Sequence, residues 1–207
     1  MQTDKIKITN FEAGRKKALE EAEKFSAYMS FDHKAALRVQ LLVEEALSMV
    51  STITEKFSAD FWIEGKQNGL CRIHLQIRTD MDMDKKKELI AASKNKKNAA
   101  AKGLTGKIRE LIEEYLYLSQ KDVEDFDANY YVTGMVDMPM ALGTPVQLDN
   151  IVWSLEDYRQ EVDEARQKEE KAEEWDELEK SILANLADDV KVAVKGDEAE
   201  LVVEKKF

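Results

Sequence analysis

One cysteine, two histidines and two prolines among 207 residues leave out the raw material of several protein classes. A lone Cys71 has no partner within the chain for a disulfide, and with only His33 and His74 beside it there is no ligand set for structural zinc. Neither histidine has a nearby Cys, Ser or Asp pattern that would nominate it for nucleophilic catalysis, so both are read as structural. Pro139 and Pro145 lie close together, which concentrates the chain's forced breaks in one stretch. No run approaches the roughly 18 apolar residues of a membrane span. Met1 to Ile8 holds no apolar core of signal-peptide length, so the expectation is a cytoplasmic protein with no membrane partner.

What is present builds a core. A hydrophobic fraction of 43% with 8% aromatics outweighs the 35% charged residues and excludes global disorder. The length fits one domain, or one domain carrying a substantial insertion. Net charge is −11, unevenly spread: Lys85 to Arg109 holds nine basic residues and one acidic, whereas Glu156 to Lys180 holds twelve acidic and five basic. Overall acidity argues against duplex DNA, because long-range repulsion opposes the counterion-release gain of a basic stripe. The basic segment reads as a local anion site, and its lack of interleaved aromatics argues against a single-strand stacking platform.

Periodicity orders the elements. Lys5 to Thr9 starts a strand, and Phe11 to Met29 places Ala18, Leu19, Ala22, Phe25 and Met29 at helical spacing. Asp32 is an N-cap for a second helix to about Thr54, striped by Ala36, Val39, Val43, Ala46, Val50 and Ile53. Phe61 to Ile63, and then Cys71, Ile73, Leu75 and Ile77 alternating with Arg72, His74, Gln76 and Arg78, predict a hairpin turned by Gly65 to Gly69. Such alternation belongs to a sheet covered by helices on one face and wetter on the other. A short helix is expected after Asp80, a polar loop at Ser93 to Asn98, and a helix from about Leu104 burying Ile108, Leu111, Ile112, Tyr115 and Leu118. Beyond an acidic connector at Asp122 to Asn129, Gly134 to Pro145 is irregular or an edge strand. A helix or helix pair from Leu155 to Ala187, anchored by Trp175, Leu178, Ile182 and Leu186, precedes a closing hairpin of Val190 to Val194 and Leu201 to Val203.

The second helix carries Glu45-Ala46 with Met49 four residues after the glutamate, and Asp80-Met81-Asp82-Met83-Asp84 follows the second hairpin strand. After a lid position comes Lys102-Gly103-Leu104-Thr105-Gly106-Lys107. This series resembles the ATP-binding module of the histidine-kinase-like (GHKL) ATPases, and is most similar to the anti-sigma-factor serine kinases over residues 5 to 118 and the last hairpin. The resemblance implies a two-layer α/β (α+β) sandwich with a mixed, mostly antiparallel sheet and helices on one face. Residues 1–118 would be its core, 119–189 an insertion, and 190–207 the closing hairpin. It also implies that Glu45 is the catalytic carboxylate, Asp80 the acceptor of the adenine amino group, and Lys102, Gly103, Gly106 and Lys107 a phosphate cradle at a helix start.

Two departures set the functional expectation. The family's magnesium-ligating asparagine is Met49 here, and a thioether is a poor ligand for a hard cation. The family's turn glycines are Asp82 and Asp84, which add bulk and like charge against phosphates. The leading expectation is therefore a non-catalytic or weakly nucleotide-binding regulatory module acting through a protein partner, with no cofactor, or with ATP bound independently of magnesium. One alternative is an active divergent kinase in which Glu44 faces the pocket and Ser48 helps hold magnesium. Another is an anion- or RNA-binding module that shares only the fold. Simpler readings stand beside these. Glu44 and Glu45 fit a solvated helix edge, Gly103 and Gly106 an ordinary helix cap, and Met135, Met138 and Met140 packing under a loop as well as an adaptable contact surface. The Asp80, Asp82, Asp84 triplet lacks the glycine and glutamate of a calcium loop, whose positions are Lys85 and Ala91, and no P-loop pattern is satisfied.

Overall fold

The first helix ends where its chemistry changes hand. Ser30 takes a left-handed φ of 57°, its N–H bonds the Ala27 carbonyl at 3.1 Å, and the Phe31 N–H reaches back to Ser26 at 3.0 Å. These paired bonds satisfy orphan carbonyls as in a Schellman ending, with serine where glycine is usual. Phe31 then folds onto Phe25, ring centroids 6.0 Å apart and edge-on, which supplies the apolar contact that accompanies this ending. Asp32 Oδ1 accepts the Ala35 N–H at 2.7 Å, capping the next helix as expected.

A computed structural model describes residues 1–8, 11–53, 58–66, 68–78, 104, 106–108, 151–167, 181–195 and 198–207. Their elements are β1 (Ile6–Ile8), α1 (Phe11–Tyr28), α2 (His33–Ile53), β2 (Ser58–Gly65), β3 (Leu70–Arg78), β4 (Ile151–Ser154), α3 (Leu155–Gln167), α4 (Ile182–Leu186), β5 (Asp189–Lys195) and β6 (Glu198–Lys206). The six strands form one sheet in the order β1-β2-β3-β6-β5-β4, and every pairing is antiparallel. This is the expected α+β sandwich.

Register explains which face is apolar. Phe61, Leu75, Leu201 and Val192 are successive cross-strand partners, and Ile63, Ile73, Val203 and Val190 form a parallel row. All eight are buried. Each contributes about 1.5–3 kcal/mol when removed from water. Against them α1 sets Ala18, Ala22 and Phe25, and α2 sets Val39, Val43, Ala46 and Val50, in a single core cluster. Gly65 lets the helices sit this close, since a Cβ there would lie 2.9 Å from the Phe25 ring. The β2–β3 turn requires Gly69, whose φ is +82°.

The described residues from 151 onward join the same core. Within residues 119–189, expected as an insertion, Ile151–Ser154 pairs with β5 as an edge strand. Leu155, Tyr158, Val162, Leu183, Ala184 and Ala187 belong to the core cluster. Arg159 ties the two short helices together by donating to the carbonyls of Ala184, Ala187 and Asp188 at the end of α4. Ile182, expected as an anchor, is instead 46% exposed. In so short a helix the Ser181 cap, whose Oγ accepts the Ala184 N–H at 3.2 Å, fixes the rotation and turns Leu183 and Ala184 inward. The expected anchors Trp175 and Leu178, the short helix after Asp80, the loop at 93–98, the later part of the helix from Leu104 and the stretch 119–150 lie outside the described residues.

Candidate functional site

α2 carries the residues on which a kinase-like reading turns. Successive helical residues are about 100° apart, so Glu44 and Glu45 lie on different flanks of α2. The Glu44 flank faces α1, where Arg15 Nη2 donates to Glu44 Oε1 at 2.6 Å. Both partners are partly exposed, which limits such a pair to about 1 kcal/mol or less. Glu45 is half-buried, and Met49, one turn further on, is 5% exposed within the core cluster. Met49 thus adjoins Glu45 along the helix, as the spacing implied, but serves as core. Ser48 is exposed on the outer side of α2.

Beside this helix the sheet closes tightly on residues 104 and 106–108. Leu104 and Ile108 are each 2% exposed, and Gly106 is buried. A cavity of about 10 Å³ separates Val50 and Ile108 from Ile77, Val192, Ala199 and Leu201, room for one water at most. Lys107 is half-buried, its Nζ 5.8 Å from the ring centroid of Tyr158 on α3. Asp80, Lys102 and Gly103 lie outside the described residues, so of the expected cradle only Gly106 and Lys107 are placed. Met49, at the position where the resemblance would put a magnesium ligand, offers a buried thioether in place of oxygen and does not fit that ion. Among the described residues no group of three or more His, Cys, Asp or Glu side chains is arranged to hold a metal, and no helix is long and apolar enough to cross a membrane.

The opposite face of the sheet holds a constellation that sequence reasoning passed over. Trp62 and His74 are cross-strand partners and stack with ring centroids 4.6 Å apart and planes 7° apart. Lys5 Nζ sits 3.8 Å from the Trp62 ring centroid. His74 Nδ1 is 3.1 Å from Glu200 Oε1, and this hydrogen bond holds the Glu200 carboxyl below its ordinary range against the opposing effect of burial. Toward β5, Glu204 receives Arg72 at 2.7 Å and Lys191 at 3.1 Å. Desolvation pushes the Glu204 carboxyl up, but the bonds from Lys191 and Arg72 outweigh it and the net shift is downward. The signal available in the sequence was the alternation that puts Trp62, Glu64 and His74 on one face; the β6 partner of His74, Glu200, is 126 residues away. Cys71 belongs to the apolar side, where burial pushes its thiol up to about 12 and so removes it from thiolate chemistry.

No protein-family model, curated protein or solved structure matches this chain.

Proposed function

We propose that this chain is a regulatory module derived from a histidine-kinase-like ATPase, non-catalytic or at most weakly nucleotide-binding, that acts through a protein partner. The observation that carries the reading is the burial of Met49 one turn beyond Glu45. Phosphoryl transfer depends on magnesium and positioned donors to stabilise charge, and a base without that ion does little for ATP. The descent is supported by the order of strand, helix, Glu-bearing helix, antiparallel hairpin and closing hairpin. The alternative kinase, with Glu44 as base, is disfavoured because Arg15 already engages that carboxylate.

Calorimetric titration with ATP, with and without magnesium, tests the reading. The expected result is equal affinity in both, or no binding in either. A tenfold tightening by magnesium, about 1.4 kcal/mol, overturns it. Capture of a protein partner should survive both the omission of ATP and Glu45→Ala; capture that requires ATP and Glu45 would return the chain to the working kinases.

A further inference from the structure

His74 lies in the middle of the polar sheet face with each ring nitrogen turned toward a carboxylate. Nδ1 is 3.1 Å from Glu200 on β6 and Nε2 is 3.6 Å from Glu64 on β2. The side chain is 12% exposed, and Nε2 is fully buried without a hydrogen-bond partner. An ionised carboxylate only accepts, and a neutral imidazole has one donor and one acceptor nitrogen. With the single proton on Nδ1, donated to Glu200, the Nε2 lone pair faces Oε2 of Glu64, whose Oε1 accepts the Trp62 indole N–H at 3.4 Å, and Nε2 itself is left unsatisfied. A second proton, taken from solvent onto Nε2, makes that nitrogen a donor toward Glu64 and gives the ring a charge between two opposite ones.

We propose that His74 is a proton-operated clasp, in which protonation of Nε2 joins β2 to β6 through a single charged ring on β3. Charges of both signs share the sheet face with the ring. Glu64 and Glu200 attract the imidazolium directly. Asp60 on β2 and Glu198 and Glu204 on β6 occupy the same sheet face by register; Glu198 accepts a bond from Gln76 and Glu204 one from Arg72. Of the cations on this face, Lys191 on β5 is held by Glu204 at 3.1 Å and Lys7 on β1 lies opposite Asp60. Arg72, two residues along β3, is neutralised by Glu204 at 2.7 Å, and Lys5 is 3.8 Å from the ring centroid of Trp62, on which His74 stacks. The indole face is itself attractive to a cation, so stacking need not loosen when the ring charges. Histidine is the side chain suited to this role, because ordinary changes around neutral pH suffice to charge it.

The test uses the imidazole nitrogens of the full chain. With His33→Gln leaving one histidine, ¹⁵N spectra from pH 8 to 5 should show Nδ1 protonated throughout and Nε2 gaining its proton in a single step, accompanied by a shift of the Trp62 indole N–H. Glu64→Gln, which keeps the size of the side chain and removes its charge, should move that step down by about half a pH unit or more, a threefold loss of proton affinity. Glu200→Gln should move it in the same direction, and it stands in if Glu64→Gln does not fold. An Nε2 that never titrates over this range, a step unmoved by either substitution, or a step that leaves the Trp62 resonance unchanged overturns the proposal.

Discussion

Replacing Met49 by Asn restores the oxygen ligand that the resemblance calls for, but places it in the core. Met49 is 5% exposed, so the substitution forfeits the burial of a methionine side chain, about 1.5–3 kcal/mol. It also buries an amide in the core cluster, and a buried polar group left unsatisfied costs about 1–3 kcal/mol. The expected loss is about 2.5–6 kcal/mol, a large share of the roughly 5–15 kcal/mol that holds a domain folded. With a urea m-value of about 2 kcal/mol per molar, the unfolding midpoint followed by circular dichroism should fall by about 1.3–3 M. Met49→Leu is the control; it keeps volume and apolarity and should cost less than about 1.5 kcal/mol. Magnesium should not stabilise the Asn variant even with saturating ATP. An Asn variant within about 0.5 kcal/mol of the parent, or one that hydrolyses ATP with magnesium, would refute the placement of Met49 as core and the lost-metal argument with it.

Gly65→Ala should lower thermal stability by about 1–3 kcal/mol, because the new methyl would lie 2.9 Å from the Phe25 ring and 3.0 Å from the Met29 sulfur; differential scanning calorimetry checks this, and Phe25→Leu in the same chain should give a total below the sum of the two single losses. Acid stability follows from Glu200 and Glu204, whose carboxyls are held below the ordinary 4.5, and from Asp188, held below 3.8 because bonds from Lys205 and Lys206 outweigh desolvation. A group depressed in the folded state contributes stability that is fully present above its unfolded value and lost as pH falls through its folded value. Stability should therefore decline below about pH 4.5, and Glu204→Gln should lower the plateau while flattening that decline; an acid limb of unchanged slope in denaturant titrations at successive pH values would refute the assignment.

Local rules determined much of this protein. The spacing of Ala18, Ala22 and Phe25 made α1, and Asp32 capped α2 because a side-chain carboxylate reaches the N–H three residues on. Alternation from Cys71 to Ile77 and the turn at Gly69 made the hairpin, since a two-residue period and a left-handed glycine are properties of the chain itself. The neighbourhood of Glu45 and Met49 was legible for the same reason. Only the tertiary structure decided that Glu44 belongs to Arg15, 29 residues away, that β6 lies between β3 and β5, and that His74 meets Glu200 across 126 residues. It also decided that Ile151–Ser154 closes one sheet edge and that Ile182 faces outward, because a four-residue strand and a five-residue helix carry too few repeats of either period to declare a face. A sequence records what each residue offers to neighbours a turn or a pleat away; which distant charge or ring it meets is settled by packing the apolar faces, and the polar constellation around His74 exists only after that packing fixes the register.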